Sequence, residues 1–228
     1  MPVFLLSDTI DFPPPQLASK DGLLAIGGDL SPKRLILGYQ MGIFPWFSDG
    51  DPILWWSPDP RLVLYPSEIK ISKTLKKIIK RNVFSITMDL AFDEVINQCA
   101  QVHLQKQQGT WIVKEMIGAY CKLHRSGFAH SVEAWQQGEL AGGLYGVSLG
   151  KSFFGESMFS RVSNASSIAL VALATYLNEL SFDLIDCQVP TAHLIRFGAR
   201  KIPRKLFLDQ LEISLDAPTQ RGKWEYKS

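Results

Sequence analysis

The chain has little cysteine, little net charge and no long apolar run, and each shortage removes a class of protein. Cys99, Cys121 and Cys187 are the only cysteines in 228 residues. An odd number with no CxxC pair excludes a disulfide framework. With no signal-peptide pattern either, the expected location is a reducing cytoplasm. The four histidines have no metal-ligand spacing, so no metal is expected. The longest apolar stretch, Ile168 to Leu177, is about half of the roughly 20 residues a membrane span needs. It is expected to be a core helix, and no membrane partner is expected. A net charge of +2 names no partner, so any nucleic-acid contact must come from a local patch.

What is present divides the chain in two. Of the thirteen prolines, ten lie at or before Pro66. The first part is turn-rich, with one clear helix started by Ser31-Pro32 and ended by Gly42. It also carries Trp46, Trp55 and Trp56 in an irregular frame. From Arg61 the pattern is regular. Strands are expected at 61–65, 84–88, 130–135, 140–147, 152–159 and 182–189. Helices are expected at 71–80, 92–100, 113–124, 191–197 and 206–215, with a long apolar helix capped from Ser163–Ser166 and ending near Leu180. Gln136-Gln137-Gly138-Glu139 reads as a hairpin turn, and the polar tail from Asp216 reads as frayed.

The order from Phe84, with the string HLIRFGARKIP (His193 to Pro203), resembles the GNAT-type N-acetyltransferase fold. The expected fold class is therefore α+β: a GNAT-like domain over residues 62–228 behind a small Pro/Trp-rich α/β domain over residues 1–61. Acetyltransferases of this fold cradle a coenzyme A pyrophosphate on a glycine-rich turn before a helix. The corresponding turn, Ser160 to Ala165, has no glycine, which argues against coenzyme A.

Several residues stand out for their chemistry. Glu156 interrupts the apolar stretch FFGESMFSR, where an unpaired carboxylate is costly to bury. Asp186 and Gln188, two apart in an expected strand, would face the same way. They suit either amine deprotonation or plain strand-end hydrogen bonding. Lys73, Lys77 and Lys80 recur at i, i+4 and i+7 along one helix face, the pattern of a solvated face or of a phosphate-binding one.

Six blocks carry a closer resemblance: AIGGDLSP (25–32), GIFPWF (42–47), ILWWSPDPR (53–61), GTWI (109–112), GESMFSR (155–161) and IDCQV (185–189). Together they resemble the bacterial leucyl/phenylalanyl-tRNA–protein transferases. The resemblance implies transfer of Leu or Phe, with Met as a third candidate, from aminoacyl-tRNA (Leu-tRNA or Phe-tRNA) to proteins with N-terminal Arg or Lys, which marks them for degradation. It implies no metal and no cofactor. It assigns a proton relay to Asp186 and Gln188, and a side-chain pocket to Leu144, Phe153, Met158, Ser160, Leu170 and Leu173. It further assigns stacking of the terminal adenosine to Trp46 and Trp111, and the tRNA body to Lys73, Lys77 and Lys80. Glu156 would hold the aminoacyl amine, with Met158 and Ser160 on its own face of the strand. A monomer is expected. The alternatives are an acyl-coenzyme A-dependent acetyltransferase and a silent tRNA-binding module.

Overall fold

Ser31 and Pro32 begin a helix as their chemistry predicts. In the computed structural model, which describes residues 3–105 and 112–226, the Ser31 hydroxyl accepts from the Arg34 amide at 3.4 Å. That helix, α1 (Pro32–Gln40), lies beside a small sheet the sequence did not announce. Its strands are β1 (Phe4–Leu6), β2 (Leu23–Gly27), β3 (Phe44–Pro45) and β4 (Leu54–Trp56), in the order β1-β2-β4-β3. Trp55 is fully buried there, its indole N–H donating to the Gly27 carbonyl at 2.9 Å.

The second sheet has seven strands among the described residues. They are β5 (Arg61–Leu64), β6 (Ser85–Met88), β7 (Ala129–Gln136), β8 (Glu139–Leu149), β9 (Ser152–Ser160), β10 (Leu184–Asp186) and β11 (Arg200–Ile202). Their spatial order is β11-β5-β10-β9-β8-β7-β6. The helices are α2 (Lys73–Lys80), α3 (Phe92–Gln105), α4 (Lys114–Arg125), α5 (Ala165–Glu179), α6 (Ala192–Arg196) and α7 (Arg204–Leu215). Among the described residues, two sheets and seven α-helices make a mixed α/β protein. The hairpin turn is as expected. Gln137 and Gly138 both take positive φ, the conformation a tight two-residue β-turn demands.

The large sheet buries both faces. On one, Tyr145, Val147, Phe154 and Phe159 join residues of α1, α3, α4 and α7. On the other, Leu144 and Phe153 join nearly the whole of α5. Gly146 shows how tightly β8 and β9 meet. A Cβ there would lie 2.2 Å from the Phe154 carbonyl oxygen and 2.6 Å from the Phe153 ring. Gly146→Ala is therefore expected to destabilise the protein by about 1–3 kcal/mol, read as a lower melting temperature.

Three local expectations are corrected. The strand expected over 182–189 is only Leu184–Asp186, because Gln188 takes φ +60° and leaves the pleat. The N-cap of α5 is Asn164, inside the expected stretch, but it takes the left-handed region and makes no side-chain capping bond. Ser160 caps instead, its hydroxyl accepting from the Ser166 amide at 2.9 Å. The tail is not frayed through to its described end. Trp224 is 1% exposed and packs against Phe153, Tyr176 and Phe182. No helix among the described residues is long and apolar enough to cross a membrane.

Candidate functional site

β9 and β10 run parallel and part company early. Their register ends at Phe154 opposite Asp186. Beyond that pair lie Gly155 and Glu156 on β9, and Cys187 and Gln188 just past the end of β10. A Cβ on Gly155 would meet only the Asp186 carbonyl, at 3.6 Å, so the split has open space beside it.

Glu156 sits at this split because β9 bulges. Tyr145 pairs with Ser157, but the next residue, Gly146, pairs with Gly155, so Glu156 is the extra residue. The bulge reverses the side-chain alternation. Glu156 turns toward α1 and α4, while Met158 packs with Leu144 on the opposite face. The expectation that Glu156, Met158 and Ser160 share one face is overturned.

Glu156 is buried, at 8% exposure. Its Oε1 accepts from the Tyr39 hydroxyl at 2.8 Å and from Gln188 Nε2 at 2.8 Å. Its Oε2 accepts from the Tyr120 hydroxyl at 2.7 Å. The two tyrosine oxygens are themselves 2.5 Å apart. Three contacts among Glu156, Tyr39 and Tyr120 need three protons, and two tyrosines supply two. The ring is complete only when Glu156 is protonated. Burial pushes Glu156 up to about 7, against the opposing hydrogen bonds from Tyr120, Tyr39 and Gln188, and nearby Asp186 adds to the rise. Burial and then the Glu156 charge push both tyrosines well above their ordinary range. Arg161, five residues further along the chain, bonds Gln98.

Asp186 is fully buried and fully engaged. Arg61 Nε donates to Oδ1 at 2.8 Å and Arg61 Nη2 to Oδ2 at 2.6 Å. Oδ1 also accepts the Gln188 amide at 2.9 Å, the side-chain-to-backbone turn that aspartate favours. That turn holds Gln188 in its left-handed conformation and aims its amide at Glu156. Arg61 is itself clamped between the Phe44 and Phe207 rings, 4.7 Å from each centroid.

The remaining candidates separate into three places. Leu144, Phe153, Leu170 and Leu173 are buried in one cluster under α5, with Met158 half-buried against it. Ser160 is exposed and bound to the Ser166 hydroxyl and amide. Trp46 is 41% exposed and leans on Trp56, whose indole donates to the Trp46 carbonyl at 2.7 Å. Lys73, Lys77 and Lys80 stand exposed on α2, and none is in an ion pair among the described residues. Trp111 and most of its GTWI block lie outside the described residues. Among the described residues no group of three or more His, Cys, Asp or Glu side chains is placed to hold a metal ion. Tyr39, Tyr120 and Arg61 are the site residues that sequence reasoning missed. Each is fully buried far along the chain from its partner, and only Arg61, inside the ILWWSPDPR block, carried a signal.

A group able to exchange a proton near neutral pH, held at a gap between strands, suits an enzyme that moves a proton during group transfer. Known proteins place that enzyme among the transferases. Residues 28–59 match the family model for the leucyl/phenylalanyl-tRNA protein transferase N-terminal domain, and residues 63–212 match that for leucyl/phenylalanyl-tRNA protein transferase. The leucyl/phenylalanyl-tRNA–protein transferase of Desulforapulum autotrophicum is 59% identical over 224 residues, covering 98% of each chain. That of Desulfatibacillum aliphaticivorans is 57% identical over 228 residues, covering 100% of this chain and 98% of its own. The chain belongs to the leucyl/phenylalanyl-tRNA–protein transferase family. A solved aminoglycoside acetyltransferase from an uncultured soil metagenomic sample aligns over 52% of this chain and 86% of its own. Its sequence identity is 13% and its TM-score 0.40.

Proposed function

We propose that the protein transfers Leu or Phe from aminoacyl-tRNA to the N-terminal α-amine of acceptor proteins beginning with Arg or Lys, in the cytoplasm. The observation that carries this assignment is the full-length match to relatives named for that transfer. Within it, the acyl ester sits at the β9/β10 split. The α-amine attacks the ester carbonyl, the C–O bond to the ribose breaks, and the amine loses one proton. Glu156 takes that proton, which closes its ring with Tyr39 and Tyr120, and passes it on to the departing ribose oxygen, so that the tRNA leaves with a free hydroxyl and the carboxylate is restored. Gln188 orients the amine. Asp186, filled by Arg61 and the Gln188 amide, acts through Gln188. The Leu or Phe side chain lies among Leu144, Phe153, Met158, Leu170 and Leu173, with Ser160 at the α5 end. Trp46 and Trp111 stack the terminal adenosine, where a base–aromatic contact contributes about 1–3 kcal/mol.

The same proposal takes residues 62–228 as a GNAT-type domain and 1–61 as a separate small one. The element order from β6 to α6 and the parallel β9/β10 pair support the first. The division of strands between two sheets supports the second, β5 opening at Arg61. The acetyltransferase alternative meets an obstacle in the turn before α5. The amides of Arg161, Val162, Ala165 and Ser166 all donate inside the chain, so they are not free to cradle a pyrophosphate.

The test is direct. The protein is incubated with Leu-tRNA or Phe-tRNA and a peptide beginning with Arg, and the product is weighed by mass spectrometry. One added Leu or Phe residue is expected; an unextended peptide with both tRNAs overturns the assignment. The tRNA contact has its own test. Lys73→Ala/Lys77→Ala/Lys80→Ala is expected to weaken tRNA binding and to flatten the log–log salt slope by about two to three. A slope equal to that of the unaltered protein would remove α2 from the tRNA path.

A further inference from the structure

The match to the family model ends at residue 212, yet one of the largest fully buried side chains lies beyond it. Trp224 is held by a polar latch and an aromatic cage at once. Its amide donates to Asp89 Oδ2 at 2.7 Å. Asp89 also bonds His130 Nδ1 at 2.8 Å and the Ser131 amide at 2.9 Å. The indole stacks on His130 with centroids 3.8 Å apart and planes 6° from parallel. Just before it, Gly222 approaches Gly127 so closely that a Cβ on Gly127 would lie 2.4 Å from the Gly222 nitrogen. The tail is therefore seated by contacts that leave it no freedom to slide.

What the indole presses on matters. Its ring lies 6.0 Å from that of Phe153 and 5.2 Å from that of Tyr176. Tyr176 is one helical turn beyond Leu173 on α5. Phe153, Leu170 and Leu173 are the residues the proposed function puts around the transferred side chain. Trp224 therefore adjoins Phe153 at the end of β9 away from Ser160.

We propose that Trp224 is a positioning residue for side-chain selection: it fixes how far the Phe153 ring withdraws, and so how deep a side chain the pocket accepts. This rests on the pocket assigned above. A rigid indole behind Phe153 sets a shallow floor, and a smaller residue there lets the floor recede. A receding floor favours Phe, the longer guest, over Leu.

The test compares kcat/KM for Phe-tRNA with that for Leu-tRNA on one Arg-peptide. Trp224→Leu is expected to raise the Phe-to-Leu ratio by about fivefold or more, within the range a pocket methylene commands. In a Phe153→Leu background the same substitution is expected to leave the ratio unchanged, since the indole acts through that ring. If the leucine variant loses its cooperative melt, Trp224→Phe carries the same test with an expected shift of about twofold. A ratio that does not move, or equal losses with both tRNAs, gives Trp224 a purely structural role and overturns the proposal. So does full additivity with Phe153→Leu. An unaltered protein that extends the peptide with neither tRNA overturns the proposed function itself, a distinct outcome.

Discussion

Glu156→Gln is expected to lower kcat by about 10²–10⁴-fold, the usual contribution of a positioned general base, and to make the protein more stable above pH 7. The two effects share one cause. Ionised Glu156 leaves the Tyr39–Tyr120 contact at 2.5 Å one proton short. Glutamine repairs this: its NH2 donates to Tyr120, Tyr120 donates to Tyr39, and Tyr39 donates to the amide oxygen. It imitates the protonated acid and has nowhere to put a further proton.

The sign of the pH dependence follows. Glu156 is raised from 4.5 to about 7, so between those values the folded state binds more protons than the unfolded one. Stability therefore falls as pH rises through that window, and the loss is complete above about 7. For this buried group it amounts to on the order of 3 kcal/mol. Thermal melts of the two proteins are expected to coincide near pH 4 and to separate by about 5–10 °C at pH 8, the glutamine variant higher. Transfer by the unaltered protein is expected to rise with pH through about 7. Glutamine-variant activity close to that of the unaltered protein would remove Glu156 from the chemistry. A separation that is the same at both pH values would remove its ionisation from the stability.

Arg61→Met is expected to have the largest effect on folding. Asp186 is fully buried, and Arg61 supplies its only cation among the described residues. Removing one partner of such a pair leaves an uncompensated charge and costs about 3–5 kcal/mol. For a chain of this size that lowers the melting temperature by about 6–20 °C. Arg61→Lys does not rescue it, because a single ammonium cannot give the parallel two-point grip. The informative control is Arg61→Met/Asp186→Leu. It removes both charges and is expected to recover most of the stability, while the Gln188 turn loses its acceptor and transfer stays low. A melting temperature for Arg61→Met within about 2 °C of the unaltered protein would show that Asp186 does not depend on this pair.

Elements whose signals lie within a few residues were legible in the sequence. Ser31-Pro32 marked a helix start correctly, because cap and amide are three residues apart. Gln137-Gly138 marked its hairpin for the same reason. The anomaly of Glu156 was legible too, as a charge in an apolar run. Its solution was not. A bulge exists only relative to the partner strand, so the alternation of FFGESMFSR could not show that Glu156 and Met158 face opposite ways. Tyr39 and Tyr120 reach Glu156 across 117 and 36 residues of chain, a proximity that no local pattern encodes. The tail misled for a related reason: one Trp among polar neighbours has no periodicity, and its partners Phe153, Tyr176 and Phe182 are brought together by tertiary packing alone.

The place of β5 in the large sheet bears on how the protein is made. β5 lies between β10 and β11, and both leave the ribosome long after it does. While the chain from Leu64 to Leu184 is being synthesised, Arg61–Leu64 has no strand on either side. At about 5–20 residues per second this wait is on the order of ten seconds. For that time a segment buried at every position in the finished protein is an open edge able to pair wrongly. The nascent chain is a natural client for chaperones that hold apolar segments, and no shortened chain that stops before β10 can have a working centre. The protein becomes an enzyme only in the last part of its own synthesis.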